Sequence, residues 1–228
     1  MNKKQKALFI SVSIVYIVSL VLFAISFSIN LPIYFRPFYY ALIKPLNIVN
    51  DLNASTGGSY ITKDVIEAYN EVLNFCCFFT KFGTGKLAWS EEGMSHFKDC
   101  QGLFLLDSTI MLVSGLLIGG VHILKRLKIV EPYKLSHLIS GISAIALPAI
   151  IGVLASINFE KAFEIFHHIF FPGKENWLFD ERYDQVILIM PMNFFMACAI
   201  LIGVCLIGLS TYYIIRGVRN IKKNKSAA

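Results

Sequence analysis

The chain has 228 residues, of which 56% are apolar, 14% aromatic and only 16% charged. Soluble globular chains carry about 25% charged residues, so this composition belongs in lipid and excludes disordered and collagen-like chains. Five cysteines without regular spacing exclude a disulfide scaffold or a ribbon-type zinc module; the net charge of +6 would suit nucleic acid, but no nucleic-acid motif accompanies it.

A bilayer core takes about 20 helical residues, and four stretches are long and apolar enough: Ala7 to about Ile29, Leu103–Leu124, Leu135 to about Asn158, and about Gln185 to Ile215. With no water in the hydrocarbon to satisfy backbone groups, spans of this length form helices. The expected fold is all-α, a single membrane domain over residues 1–228 with four transmembrane helices. Two outer segments, about 30–102 and 159–184, carry interfacial helices. The first span is read as retained, since its apolar run exceeds the roughly 7–15 residues of a signal-peptide core.

Orientation follows from the basic residues. Lys3, Lys4 and Lys6, then Lys125, Arg126, Lys128 and Lys134, then Arg216, Arg219, Lys222, Lys223 and Lys225 share one side if the helices alternate. They make up 12 of the 21 Lys and Arg, against the single acid Glu131 on that side. Cytoplasmic loops hold the positive excess, so both termini are expected inside a bacterial cell membrane, the functional face outside, and the charge directed at anionic lipid.

The first outer segment opens with Pro32, Arg36 and Pro37 among Tyr34, Phe35, Phe38, Tyr39 and Tyr40, a headgroup-zone composition. Asn53–Gly58 reads as a loop. After Thr62, a plausible N-cap, Val65, Ile66, Tyr69, Val72, Leu73 and Cys76 recur at helical spacing, with Lys63, Asp64, Glu67 and Glu71 on the other face. A disulfide from Cys76 or Cys77 to Cys100 is one option on an oxidising side; packing among Phe75, Phe78 and Phe79 is the other.

Ser90 caps the next helix, with Glu91 and Glu92 in its first turn. At about 100° per residue, Glu92, His96, Asp99, Leu103 and Asp107 form one stripe running into the second span. An acid inside a membrane is a functional-site hypothesis; for Asp107 the alternative is a hydrogen bond that holds the helices together. His96, flanked by carboxylates at i−4 and i+3, is placed to be oriented and tuned. In the second outer segment Phe159, Phe163, Phe166 and Phe170 form an apolar stripe bordered by His167, whereas His168 points nearly opposite. Pro172 and Gly173 break the helix, Trp177 and Phe179 return the chain to the interface, and Asp180 and Asp184 follow. His122 and His137 fall at the cytoplasmic ends of their spans. No G-x-S-x-G, P-loop, G-x-G-x-x-G or H-E-x-x-H motif is present.

The run FHHIFFPGKENWLFDERYDQVILIMPMNFF (residues 166–195) and the segment WSEEGMSHFKDCQGLF (89–104) resemble the two landmarks of the lipoprotein intramolecular transacylase family, four-span bacterial membrane proteins. Two departures stand out: Lys174 and Glu175 separate Gly173 from Asn176, and Cys100 follows Asp99 where an aliphatic residue is usual. The resemblance implies an acyltransferase that takes a fatty acyl chain from the diacylglyceryl group of a lipoprotein's N-terminal cysteine to that cysteine's own α-amine, giving a lyso-form lipoprotein. It implies diacylglyceryl-modified lipoproteins and membrane lipid as partners, and no cofactor or metal. His96 and His167 are the expected catalytic pair. Glu92 and Asp99 would orient His96, Trp177 would hold acyl chains, and Asp107, His168 and Asp184 complete the supporting set. Two other readings compete: a zinc-dependent membrane hydrolase using His96, Asp99, His167, His168 and Asp184, and a non-enzymatic adaptor whose outer helices dock a partner.

Overall fold

The structure is a computed structural model and describes residues 2–225. All regular structure among these residues is helical: α1 Lys3–Tyr34, α2 Pro37–Leu42, α3 Ile48–Thr56, α4 Thr62–Phe78, α5 Glu91–Arg126, α6 Ser136–Ile157, α7 Phe159–Phe170, α8 Val186–Ile189 and α9 Met192–Lys225. Among the described residues, α1, α5, α6 and α9 are long and apolar enough to cross a membrane. Leu112, Leu116, Ile123, Ile151, Leu154, Ile200 and Val204 lie exposed on them, as lipid-facing residues do. The chain divides into two compact units.

The first unit takes in Met1–Asn30, Asp107–Val153 and Leu201–Ala228. Its core is small: Tyr16, Leu20, Ala24, Val121, Ala144, Leu206 and Tyr213. Apolar side chains gain little by leaving lipid for one another, so helices in a membrane associate by close packing and polar contacts. Both are present. A Cβ on Gly141 would stand 2.7 Å from the Ser210 carbonyl oxygen, and one on Gly217 2.6 Å from the Leu138 nitrogen, so α6 and α9 touch backbone to backbone. Asp107 supplies the polar contact. Asn30 Nδ2 donates to Asp107 Oδ2 at 2.5 Å and to the Ser26 carbonyl at 2.8 Å, and Ser108 Oγ donates to Asn30 Oδ1 at 2.8 Å.

The second unit takes in Leu31–Leu106 and Leu154–Ile200. Its core is that of a folded domain: Tyr39 stacks on Tyr69 with ring centres 3.7 Å apart, Phe194 stands edge-on to Tyr39, and Tyr39 Oη donates to the Ile189 carbonyl at 2.7 Å. Helix α4 buries Val65, Ala68, Tyr69, Val72, Leu73 and Cys76, the face its periodicity marks. Arg36 ties the start of α2 to α4, donating to Asn70 Oδ1 at 3.0 Å and Asn74 Oδ1 at 2.7 Å.

Several expectations are corrected here. The loop expected at Asn53–Gly58 is helical as far as Thr56, because Ile48 and Leu52 are fully buried and packing overrides the weak propensity of Asn, Ser and Thr. Thr62 is the first residue of α4, and the carboxylate that caps it belongs to Asp64, which accepts the Ile61 N–H at 3.0 Å. Asp64, expected on the solvated face, is buried against Lys86 at 2.8 Å. The fourth span starts at Met192, since the residue before a proline avoids the helical region and Met190 precedes Pro191. Cys76, Cys77 and Cys100 are all free thiols, so the disulfide is absent.

Candidate active site

The start of α5 is held by an acid 94 residues further along the chain. Asp184 Oδ1 accepts the Ser90 N–H at 2.8 Å, and its Oδ2 accepts the Ser90 hydroxyl at 2.7 Å. Ser90 Oγ in turn accepts the Gly93 N–H at 2.9 Å, the expected cap. Gln185 reinforces the clamp by accepting the Ala88 N–H at 2.9 Å and donating its own N–H to the Ala88 carbonyl at 3.0 Å. Any side chain at position 93 would collide with the Asp184 carboxylate and crowd the Phe179 ring, so glycine is required there. Asp184, 5% exposed, thereby fixes the first turn of α5.

One turn on, α5 presents His96, 5% exposed. The buried ring of His167, from α7, lies with its centre 5.8 Å away. Phe171 and Phe179 close on His96 at 4.9 and 5.5 Å, both edge-on. Trp177 stacks on His167 at 4.7 Å, and Phe163 flanks it at 4.3 Å. Pro172 and Gly173 end α7; Gly173 takes φ +72, a left-handed turn that suits glycine, and the chain comes back with Asn176 and Trp177.

The polar atoms of the pair are unequal. His167 Nδ1 lies 2.7 Å from the Phe163 carbonyl, so this nitrogen carries the hydrogen and Nε2 keeps its lone pair. Burial lowers the His167 pKa, the Phe163 hydrogen bond opposes the shift, and the neighbouring His168 adds a smaller lowering. His96 Nε2 faces Cys100 Sγ at 3.4 Å, and its Nδ1 is buried. Asn176 Oδ1 is buried too, and the Asn176 side chain reaches the His96 ring, where burial disfavours the protonated form and this contact favours it. The contact between them is loose: neither atom makes a hydrogen bond of good geometry.

The other expected residues fall into place unevenly. Asp99 does not hydrogen-bond His96; it pairs with Lys174 at 2.5 Å and accepts from Asn176 Nδ2 at 3.0 Å, tying the turn after α7 back to α5. Glu92 is exposed, with no hydrogen bond or ion pair among the described residues. His168 is exposed beside Glu164 at 3.7 Å, its ring edge-on to Trp177. Asp107 belongs to the first unit and the α1 contact described above. The phenylalanine stripe of α7 divides: Phe163 packs inward against His167 and Phe195, whereas Phe166 and Phe170 are exposed. Among the described residues, no three His, Cys, Asp or Glu gather as metal ligands would. Asn176, Phe171 and Cys100 were missed as site residues. Cys100 touches His96, and Lys174 touches Asp99.

The family model of Lipoprotein intramolecular transacylase Lit matches residues 14–195. This chain belongs to that family. The lipoprotein intramolecular transacylases are acyltransferases, and the solved structure of the membrane-integral Lit from Bacillus cereus is similar to the chain with a TM-score of 0.85 at 23% identity, covering 97% of this chain and 100% of that one. A histidine-to-arginine variant of the same Bacillus protein matches with a TM-score of 0.77 at 22% identity, over 98% of this chain and 96% of that one. The likeness is one of fold: a membrane-integral, all-helical protein. An uncharacterized protein of Aquifex aeolicus (strain VF5) is 32% identical over 112 residues, 48% of this chain and 47% of that protein, so the match spans about half of that relative's length. Like the Bacillus transacylase, this chain is a multi-pass membrane protein.

Proposed function

We propose that the chain moves a fatty acyl chain from the diacylglyceryl group of a bacterial lipoprotein's N-terminal cysteine to the α-amine of that same cysteine, with His96 and His167 as the catalytic pair. The observation that carries this reading is the meeting of two buried imidazoles from separate elements, one with its lone pair free and the other only loosely engaged by Asn176 at its remaining nitrogen.

Nucleophile and ester belong to one molecule. Well-oriented intramolecular reactions reach effective molarities of about 10⁵–10⁸ M, so the protein's main task is to hold the folded-back substrate. Trp177, Phe171 and Phe179 supply apolar walls for that, and the exposed Phe166 and Phe170 offer surface to acyl chains. The amine nitrogen attacks the ester carbonyl while His167 Nε2 takes its proton; an α-amino group near pKa 8 and an imidazole make a workable match. With the Cys100 thiol donating to Nε2 of His96, Nδ1 carries the hydrogen and is a loosely engaged donor for the oxyanion of the tetrahedral intermediate. As the C–O bond breaks and the amide C–N bond stands, the departing glycerol oxygen receives a proton through His96, and the proton held by His167 restores the pair. Asn176 Oδ1 is the acceptor left to position the attacking amine. Exchange of the two imidazole roles is an equivalent form of the same proposal. The basic excess at the termini and the α5–α6 connection supports cytoplasmic termini and a site at the outer face.

Expression in a bacterium that makes diacylglyceryl lipoproteins tests the reaction, read by mass spectrometry of their N-terminal peptides. The expected product has unchanged total acyl mass with one chain moved to the α-amine. Unaltered peptides, in cells shown to contain the folded protein, would refute it.

A further inference from the structure

The first unit holds a polar cavity that the acyl transfer leaves unused. About 370 Å³ in volume, it is lined by residues of α1, α5, α6, α9 and the α5–α6 connection, and falls in the roughly 300–1,000 Å³ range of small-molecule sites. Tyr16, only 2% exposed, sets its polar wall. The Tyr16 hydroxyl stands 3.5 Å from His122 Nε2 and 3.3 Å from His137 Nε2. His122 Nδ1 lies 2.8 Å from the Ile118 carbonyl and donates to it, which leaves His122 Nε2 to accept the phenol proton. His137 Nε2–H then donates to the phenol oxygen, which engages the Tyr16 hydroxyl on both sides.

The charge stands around this chain of rings. Lys125, Lys134 and Arg216 line the same cavity, with Glu131 the one carboxylate among the lining residues. Glu131 is engaged by Lys125 at 2.7 Å. Lys134 and Arg216 have no ion pair among the described residues, so the cavity has two cations to spare and a polar wall. A diffuse attraction to anionic membranes needs basic residues alone; a cavity backed by an ordered Tyr–His–His chain is a shaped site. Its donors suit a tetrahedral oxyanion: the guanidinium fork of Arg216 matches phosphate oxygens two at a time, and the ammonium of Lys134 adds a point charge. Basic pockets between transmembrane helices are where lipid phosphates are bound.

We propose that this cavity binds a phosphoryl group, presented by the headgroup of an anionic phospholipid, with Arg216 and Lys134 supplying the charge and the Tyr16–His137–His122 chain the wall. The proposal stands apart from the acyl-transfer reading.

The test is thermal unfolding of the purified full-length chain in neutral detergent, titrated separately with dioleoylphosphatidylglycerol, dioleoylphosphatidylcholine and inorganic phosphate. The expected result is saturable stabilisation by phosphatidylglycerol but not phosphatidylcholine. Lys134→Gln/Arg216→Gln should weaken it at least about tenfold, whereas Lys3→Gln/Lys4→Gln, which removes as much charge outside the cavity, keeps it. Equal stabilisation by inorganic phosphate, lost in the same cavity variant, would uphold the phosphoryl site with free phosphate as its source. No stabilisation of the unaltered chain, whatever the variants do, would overturn the proposal. So would equal losses in both double variants, which mark diffuse charge.

Discussion

Each unit brings two histidines together, and the two pairs are built for different ends. In the second unit His96 and His167 face each other within a shell of aromatic rings, and one nitrogen of His96 is buried with only a loose contact from Asn176. In the first, His122 and His137 both meet the phenol of Tyr16, whose hydroxyl is satisfied on both sides. A satisfied network fixes structure; an unsatisfied, desolvated one is ready to take up a proton or a substrate atom. Residue type is alike in both pairs. What stands between the rings separates them: a shared phenol in one, aromatic walls in the other.

The largest effect that would break this comparison is on transfer itself. His96→Ala or His167→Ala should lower the rate of acyl relocation by about 10²–10⁴-fold, the usual contribution of a positioned acid or base. His122→Ala and His137→Ala should stay within about threefold, since neither touches the reacting atoms; equal losses from both pairs would end the distinction. Next is the clamp. Asp184→Ala leaves the Ser90 N–H unpaired at the head of α5, and a loss of about 1–3 kcal/mol is expected, measured as a lowered Tm together with weakened transfer. A variant as stable and active as the parent would show that the clamp does not position His96.

The pH dependence sharpens the pair further. Burial lowers the pKa of His167, so the ring is neutral at pH 7 and its base form is lost only as pH falls through a value below the ordinary 6.5. The acid side of kcat/KM should therefore show two limbs, one at about pH 8 set by the substrate's own α-amine and a second, from His167, below 6.5, and Trp177→Phe, which leaves less of the ring covered, should move the second one up. A profile that falls with the amine limb alone would contradict the assignment of His167 as base. Because the unfolded chain binds the proton more readily, this group also makes folding less favourable as pH falls between the unfolded and folded pKa values. The smallest effects are expected at Glu92→Gln and His168→Ala, exposed positions whose transfer rates should remain within about twofold of the parent; a large loss at either would enlarge the site.

The four spans were legible because lipid imposes a long apolar run, and the sequence marks His96 and His167 as candidates because a histidine beside carboxylates or an aromatic stripe is expensive near a membrane. What the sequence hid was partnership. Asp107 was open to a catalytic or a structural reading until its partner Asn30, 77 residues away, proved to be the neighbouring helix's contribution. The carboxylates around His96 looked like its orienting groups, yet Asp99 turns to Lys174 and Asn176. That Lys174 pairs with Asp99 follows from where Gly173 sends the chain, which spacing alone does not give. Helix α3 was hidden by its own polar residues, because only Ile48 and Leu52 face the core.

The most direct test of the central claim follows the acyl chain between molecules. Two synthetic diacylglyceryl-cysteine peptides, one with perdeuterated acyl chains and the other with a distinct peptide mass, are mixed with the purified protein, and the products are read by mass spectrometry. Transfer within one substrate held against His96 and His167 predicts amide products that carry only their own chains, and none with His167→Ala. Peptides bearing each other's chains, or unchanged transfer by His167→Ala, would contradict it.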